Sequence, residues 1–249
     1  MENVYGLIGR SLSHSFSKDY FMKKFHEINI KNAIYNLYEL KEIEEFKELI
    51  NNTPGLKGLN VTIPYKEHVI PFLDKLDQSA EKVGAVNVIK VKTSGSLEGF
   101  NSDYYGFKKS LENWLTNGYG NMKALILGTG GSSRAVKAAL DDLNIEYLFI
   151  SRNSSTSTID YHTVQEHPEI LHEYRLIINT TPVGMYPDTD KIPELDYSNL
   201  SRHHFLFDLI YNPLETKFLA KGREKGAKIK NGLEMLHLQA EKSWEIWNS

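Results

Sequence analysis

One segment of the sequence places a single lysine beside two neutral hydrogen-bonding side chains: Asn60-Val61-Thr62-Ile63-Pro64-Tyr65-Lys66. The pattern predicts a β-strand over 56–62, which Pro64 ends because proline cannot donate a ladder hydrogen bond. Asn60 and Thr62 should therefore point to the same side of the strand, with Lys66 in the first turn of the next element. Two neutral polar groups and one titratable amine suit a site for a small polyhydroxylated molecule.

A glycine-rich turn follows the apolar strand predicted over 123–127 and precedes an alanine-rich helix: Gly128-Thr129-Gly130-Gly131-Ser132-Ser133-Arg134. Glycines in this context allow a tight turn and bring a pyrophosphate close to the backbone amides at a helix N-terminus. Ser133 replaces the third glycine of G-x-G-x-x-G, which is tolerable where helix and strand approach less closely. The context predicts a dinucleotide site; a purely structural glycine turn is the alternative.

The residues after the next predicted strand indicate which dinucleotide is bound. That strand ends at Ile150, and it is followed by Ser151-Arg152-Asn153, where an acidic residue would bind a ribose 2′-hydroxyl. Arg152 would instead hold a 2′-phosphate through charge-assisted hydrogen bonds. We therefore expect NADP(H) rather than NAD(H), with an ordinary solvated loop arginine as the alternative.

The elements that must position these groups alternate along the chain. Before the asparagine- and glycine-rich segment 117–121, which marks a domain boundary, we expect a helix with Phe21, Phe25 and Ile28 on one face. After that boundary, strands alternate with helices, which implies parallel β-α-β units. Further strands are predicted near 4–8, 33–38, 86–91 paired with 97–100 in a hairpin, 147–150, 176–178, 205–209 and 227–229, and helices near 42–50, 103–115, 133–143, 216–225 and 233–247.

Composition excludes several classes of protein. The 249 residues carry a net charge of -3, which offers no basic surface for nucleic acid, and contain no cysteine for disulfides, thiolate metal sites or nucleophilic catalysis. The nine histidines show no metal-ligand spacing, so no metal is expected. Because no secretory signal or bilayer-spanning apolar stretch is present, we expect a cytoplasmic protein. We also expect a monomer or homodimer. Its partner should be a small-molecule substrate, with neither nucleic acid nor a membrane involved.

These motifs, in this order, resemble those of the shikimate dehydrogenase (shikimate/quinate dehydrogenase) family over nearly the whole chain. Besides the segments above, the matching ones are Ser15-Phe16-Ser17 after His14, Gly84-Ala85-Val86-Asn87, Asn101-Ser102-Asp103, Asn179 to Met185, Asp208 to Pro213, and Gly232 with Gln239. The departures leave the chemical groups intact: Ser11 and Lys18 stand for prolines, Tyr104 and Glu234 for glycines, and Ser151 for asparagine.

The resemblance implies an α/β fold with two domains, an N-terminal α/β substrate domain and a Rossmann-type NADP-binding domain. Residues 1–102 plus 233–249 would form the substrate domain, because a C-terminal helix would return to it. Residues 103–232 would form the NADP-binding domain, with 103–120 as a linking helix. The cleft between the two would hold both ligands, and closure would exclude water.

The resemblance also implies the reaction: reversible NADPH-dependent reduction of 3-dehydroshikimate to shikimate, in aromatic amino-acid (chorismate) biosynthesis. The enzyme would be an NADP-dependent oxidoreductase acting on a CH–OH group. Lys66 would stabilise the developing alkoxide and transfer the proton. Asp103 would fix the amine and accept a hydrogen bond from a substrate hydroxyl. On residue types alone, a surface lysine–aspartate pair of little consequence is the more common case, and the matched motifs are what favour the catalytic pair.

The resemblance implies two sets of binding residues in this sequence. The substrate set is Ser15, Ser17, Asn60, Thr62, Asn87, Asp103, Tyr211 and Gln239. The cofactor set is Gly128, Thr129, Gly130, Gly131, Ser132, Ser151, Arg152, Asn153, Thr180, Leu209 and Gly232.

Structural alternatives and rival functions stay open. Ser15 and Ser17 are also typical helix caps, Gln239 is compatible with an exposed helical position, and Tyr211 with a core position. The rival functions are a quinate/shikimate dehydrogenase that uses NAD(H) and a ligand-binding homologue without turnover.

Overall fold

The computed structural model describes residues 2–12, 15–116 and 120–249, so that His14 and residues 117–119 of the predicted boundary segment lie outside it. The chain divides into two compact units, Met1–Ser102 with Ala240–Ser249, and Asp103–Gln239. The division falls within the last helix, whereas the sequence-based domain boundary, which stays a prediction, precedes Leu233.

The first unit is built on a mixed six-stranded sheet in the order β2-β1-β3-β5-β6-β4. Strands β1, β2 and β3 are parallel, β5 is antiparallel to both β3 and β6, and β4 is parallel to β6. The antiparallel β5–β6 pair confirms the predicted hairpin. A 3-10 turn covers Ile70–Phe72, and the elements are β1 Asn3–Gly9, α1 Phe16–Glu27, β2 Ala33–Glu39, α2 Glu45–Asn52, β3 Leu56–Val61, α3 Tyr65–His68, β4 Lys75–Leu76, α4 Gln78–Val83, β5 Val88–Val91 and β6 Leu97–Phe100.

Aromatic side chains fill one side of this sheet. Phe21 and Phe25 of α1 are buried, and the Phe21 ring stacks on Tyr35 of β2 with a centroid distance of 4.8 Å. Ile28 was expected on the same face, but that prediction is wrong, because α1 ends at Glu27 and Ile28 is 44% exposed. The chain turns away there through Asn29, whose φ is 56°.

The second unit contains a parallel six-stranded sheet in the order β12-β11-β10-β7-β8-β9. This confirms the predicted β-α-β series. A 3-10 turn covers Tyr197–Asn199, and the elements are α5 Ser102–Trp114, β7 Lys123–Leu127, α6 Gly131–Asp142, β8 Glu146–Ser151, β9 Thr158–Asp160, α7 Tyr161–Glu166, α8 Glu169–Glu173, β10 Leu176–Asn179, β11 Phe205–Asp208, α9 Lys217–Glu224, β12 Lys228–Lys230 and α10 Leu233–Asn248. The part of α10 from Ala240 onward belongs to the first unit.

The strand order of this sheet creates a binding position. Strands β7 and β10 are neighbours, and the chain runs outward from them in opposite directions, to β8 and β9 on one side and β11 and β12 on the other. This is the order of doubly wound nucleotide-binding sheets, in which ligands bind beyond the carboxyl ends of the two central strands. In the part of the chain that the structure describes, no helix is long and apolar enough to cross a bilayer.

Candidate functional site

Lys66 lies where the sequence predicts it, in the first turn after β3. The backbone nitrogen of Thr62 donates to Ile8 at 2.9 Å, and α3 begins at Tyr65 after Pro64. The Lys66 carbonyl accepts a hydrogen bond of 2.7 Å from the nitrogen of Val86. Lys66 therefore extends from a backbone that is tied to the segment leading into β5.

Buried polar side chains of the first unit form one hydrogen-bonded group, which we call the Asn60 network: Asn60, Asn87, Tyr35, Ser102 and Ser243. Oδ1 of Asn60 accepts from the Tyr35 hydroxyl at 2.8 Å, and Nδ2 donates to the Asn87 carbonyl at 3.3 Å and to Ser243 Oγ at 3.0 Å. The two serine hydroxyls are 3.2 Å apart. The structure thus brings two predicted substrate residues, Asn60 and Asn87, into contact.

Asn87 holds the residue that precedes Asp103. Its Oδ1 accepts from the Ser102 backbone nitrogen at 2.6 Å, and its Nδ2 donates to Ser102 Oγ at 3.0 Å. Asn87 and Ser102 are both buried, so the pair of bonds fixes the start of α5. In this structure the Asn87 carboxamide therefore positions the backbone at Ser102.

Tyr35 extends the network toward Ser17. Burial raises the pKa of the Tyr35 hydroxyl, and a hydrogen bond with Ser17 opposes that rise. Tyr35 therefore stays neutral and can donate its proton to Asn60. Sequence reasoning missed Tyr35, Ser102 and Ser243, because no local pattern marks a serine or tyrosine whose partner is distant in the chain.

Ser15 is the N-cap of α1, as the structural alternative proposed. Its side chain accepts a hydrogen bond of 3.3 Å from the Ser17 backbone nitrogen, and the serine proton remains available for donation. Thr62 is partly buried, and its methyl group would lie 2.6 Å from any Cβ at position 9. Gly9 therefore lets Thr62 pack against β1.

The remaining predicted substrate residues belong to the second unit. Asp103 lies in the first turn of α5, where the helix dipole favours a negative charge. Gln239 is partly buried rather than exposed, and its Nε2 donates to the Leu236 carbonyl at 3.0 Å. Tyr211 follows β11 and is also partly buried, and burial raises the pKa of its hydroxyl.

A pocket of about 390 Å³ opens at the carboxyl ends of β7, β8 and β10. Six of its lining residues belong to the predicted cofactor set: Gly128, Thr129, Gly130, Ser151, Arg152 and Thr180. Four others were not predicted: Tyr161, Thr181, Pro182 and Val183. The pocket thus lies where the strand order of the sheet predicts ligand binding.

The glycines of the turn differ in what requires them. Gly128 has a φ of 97°, and a Cβ there would lie 2.7 Å from Thr181 Cγ2. A Cβ at Gly130 or Gly131 would meet no atom within 4 Å. The space in front of the α6 N-terminus is therefore open, and neither strain nor packing explains these two glycines.

Ser133 and Thr180 fix the shape of the turn. The buried Ser133 hydroxyl donates to the Gly130 carbonyl at 2.6 Å, which gives the serine in the third glycine position a structural role. The Thr180 hydroxyl and backbone nitrogen both donate to the Leu127 carbonyl, at 2.6 Å and 3.0 Å. The end of β10 is thereby fastened to the end of β7.

Five predicted cofactor residues lie outside the pocket lining: Gly131, Ser132, Asn153, Leu209 and Gly232. Gly131 and Ser132 open α6, and the Asn153 nitrogen donates to Ser151 Oγ at 3.4 Å. Leu209 follows β11. A Cβ at Gly232 would lie 2.0 Å from the Leu209 carbonyl oxygen. Gly232 is therefore required by this close backbone approach.

Arg152 and Tyr161 lie on neighbouring chain segments at the pocket. Strand pairing aligns Ser151 with Asp160, so the next residue of each segment leaves the sheet at the same edge. Burial raises the pKa of Tyr161 to about 12, Glu194 adds to the rise, and the Arg152 charge opposes it. The positive charge of Arg152 therefore acts on Tyr161, an aromatic residue of the pocket lining.

The two residues that stand for family glycines have structural partners. Tyr104 donates a hydrogen bond to Asp142, which also pairs with Lys108 at 3.2 Å. Glu234 accepts from Ser110 at 3.0 Å, from Asn113 at 2.8 Å, and from Lys230. Burial alone would raise the pKa of Glu234, but these three bonds together lower it. Both side chains fasten helices within the second unit.

The sheet order, the glycine turn and the pocket at the central strands define the second unit as a Rossmann-type nucleotide-binding domain. Residues 7–89 match the family model described as the shikimate dehydrogenase substrate binding domain. A shikimate dehydrogenase (NADP(+)) of Clostridium perfringens is 39% identical over 98% of this chain and 92% of its own length. The chain belongs to the shikimate dehydrogenase family.

Solved structures show the same relationship. A chorismate mutase/shikimate 5-dehydrogenase fusion protein from Clostridium acetobutylicum superposes with a TM-score of 0.88 at 38% identity, covering 100% of this chain and 91% of that one. Shikimate 5-dehydrogenase from Thermus thermophilus, in complex with NADP(H) and shikimate, gives a TM-score of 0.84 at 28% identity, covering 98% and 93%. The two-domain Rossmann architecture of the family is thus the fold of this chain.

Proposed function

We propose that the protein is a shikimate dehydrogenase that interconverts 3-dehydroshikimate and shikimate with NADP(H), in aromatic amino-acid biosynthesis. The observation that carries this proposal is the open pocket at the central strands, with Arg152 where an NAD-binding domain has an acidic residue. The chain also retains Lys66 and Asp103, and the relatives described above are named for this activity.

NADP(H) fits the residues of the pocket. A Cβ at Gly130 or Gly131 would meet no atom within 4 Å at the start of α6, and this open space suits a pyrophosphate at a helix N-terminus. Arg152 is exposed at the pocket and can bind the 2′-phosphate through charge-assisted hydrogen bonds. When bound, the cofactor supplies or takes up the hydride.

The protein must handle one proton in the reaction. During reduction the carbonyl oxygen becomes an alkoxide, and the Lys66 ammonium stabilises it and donates a proton to it. In the reverse direction neutral Lys66 accepts the hydroxyl proton. Asp103 accepts a hydrogen bond from a neighbouring substrate hydroxyl and thereby orients the ring.

The other predicted substrate residues bind and orient. Ser15 and Ser17 donate hydroxyl hydrogen bonds to the substrate carboxylate, while Thr62, Asn87, Tyr211 and Gln239 supply neutral hydrogen bonds. A site built to bond hydroxyls rejects analogues that lack them, because its polar groups would be left unpaired. The cost of these unpaired groups distinguishes shikimate from ring acids with fewer hydroxyl groups.

The direct test is turnover of shikimate by the purified protein with NADP⁺, followed by absorbance of the reduced cofactor. Quinate and NAD⁺ are assayed in parallel, and we expect shikimate with NADP⁺ to give the highest kcat/KM. Equal efficiency with NAD⁺ would contradict the cofactor proposal. Shikimate binding without turnover in any combination would favour the non-catalytic homologue. The monomeric or homodimeric state and the cytoplasmic location stay predictions.

A further inference from the structure

The Asn60 carboxamide uses almost all of its hydrogen-bonding capacity within the protein. A primary amide offers two N–H donors and an oxygen with two lone pairs. Both donors are used, on the Asn87 carbonyl and Ser243 Oγ, and one lone pair is used by the Tyr35 hydroxyl. Toward a ligand, Asn60 can therefore only accept one further hydrogen bond.

The orientation of this amide follows from its partners. The Asn87 carbonyl can only accept, so the Asn60 atom 3.3 Å from it must be the nitrogen. The Tyr35 hydroxyl on the opposite side then meets the oxygen at 2.8 Å. Ser243 is fully buried and Asn60 is 6% exposed, which leaves little room for any other arrangement.

We infer that Tyr35 and Ser243 are positioning residues that make Asn60 an acceptor of a substrate hydroxyl proton. Tyr35 holds Oδ1, Ser243 holds Nδ2, and together they prevent the carboxamide from presenting its N–H groups to the ligand. The inference rests on the proposed function, since it concerns the substrate of that same site.

An Asn60 that can only accept binds a different group of the substrate from the residues that donate. A carboxylate has no proton to donate at neutral pH, so an acceptor-only Asn60 cannot bind it. The substrate carboxylate must then be bound by donors such as Ser15 and Ser17. Asn60 selects for a ring hydroxyl, and an analogue without that hydroxyl gains nothing from it.

The test compares Tyr35→Phe and Ser243→Ala with two matched controls. Tyr5 is buried on β1 directly beside Tyr35, and none of the network bonds involves it. Ser110 is, like Ser243, a fully buried helical serine, and its hydroxyl donates to Glu234 instead. The controls are therefore Tyr5→Phe and Ser110→Ala.

We expect each network variant to raise the KM for shikimate about tenfold, the effect of one neutral hydrogen bond. The kcat and the KM for NADP⁺ should stay within about threefold of the wild-type values, and the controls should leave all three unchanged. Thermal unfolding of each variant verifies that it is folded. A KM for shikimate no higher than that of the controls would overturn the inference.

A second measurement asks whether both residues act through Asn60. In an Asn60→Ala background, neither Tyr35→Phe nor Ser243→Ala should raise the KM for shikimate further, because the carboxamide they orient is gone. Effects that multiply with that of Asn60→Ala would overturn the inference even if the single variants behave as expected. A folded wild-type protein that neither turns over nor binds shikimate would overturn the proposed function, and this inference with it.

Discussion

Asn179 donates a hydrogen bond of 3.1 Å from Nδ2 to Oδ1 of Asp208, between paired residues at the carboxyl ends of two parallel strands. Both side chains are fully buried. Oδ1 of Asn179 accepts a hydrogen bond of 2.6 Å from the Thr181 hydroxyl, and Thr181 lines the pocket at the central strands. A buried carboxyl group is therefore linked to the pocket wall through one asparagine.

Asp208 should make stability depend on pH. Burial raises its pKa to about 6 from 3.8, although Thr216, Ile210 and Asn179 oppose the rise with hydrogen bonds. Between these values the folded protein binds more protons than the unfolded chain, so the free energy of unfolding falls as pH rises. For a shift of this size the loss is about 3 kcal/mol.

Asp208→Asn removes that titration and tests it. We expect the stability of the variant relative to the wild type to improve by about 3 kcal/mol between about pH 4 and pH 7, measured by urea unfolding. Burial, with smaller contributions from Tyr161 and the Asp208 charge, raises the pKa of Tyr197 far above this window. A stability difference that is independent of pH would show that Asp208 is ionised throughout.

Gly130→Ala should separate binding from folding. Because its φ is −78° and an added Cβ meets no atom within 4 Å, the free energy of unfolding should change by less than about 0.5 kcal/mol. The same methyl group would occupy the space assigned to the pyrophosphate, so the Kd for NADP⁺ should rise more than about tenfold. Calorimetric titration and thermal unfolding measure the two effects.

Gly128→Ala is the matched comparison. Here the φ of 97° and the contact with Thr181 should destabilise the fold by at least about 1 kcal/mol. Equal stability losses in the two variants would contradict the conclusion that only Gly128 is structurally required.

Arg152→Ala should change cofactor preference. Losing charge-assisted hydrogen bonds to a 2′-phosphate should lower kcat/KM with NADPH by about 10- to 100-fold. The value with NADH should change less than about threefold, because NADH lacks that phosphate. Arg175→Ala, an exposed arginine outside the pocket lining, is the control. Equal losses with both cofactors would contradict a contact between Arg152 and the 2′-phosphate.

Much of the fold follows from local sequence patterns. The central strands β7 and β10 are short apolar runs followed by polar turns, because each is buried on both faces. Strand β9 (Thr158–Asp160) and helix α8 (Glu169–Glu173) were not predicted, since elements of three and five residues are too short to show periodicity.

The candidate site divides in the same way. Lys66 and Arg152 lie within four residues of the ends of predicted strands, so local spacing was enough to single them out. Ser243 was not predicted, because its hydrogen bond to Asn60 joins residues 183 positions apart. Glu234 likewise stands where the family has a glycine. Its hydrogen bonds to α5 and to Lys230 are seen only in the folded chain.

The most direct test of the account is the turnover of Lys66→Ala with 3-dehydroshikimate and NADPH. Lys57→Ala, at a partly buried position on β3 outside the Asn60 network, is the matched control. We expect Lys66→Ala to lower kcat by about 10²- to 10⁴-fold, with the KM for substrate within about fivefold of the wild-type value, because the lysine acts on the developing charge. A folded Lys66→Ala protein whose kcat matches that of Lys57→Ala would contradict proton transfer by Lys66.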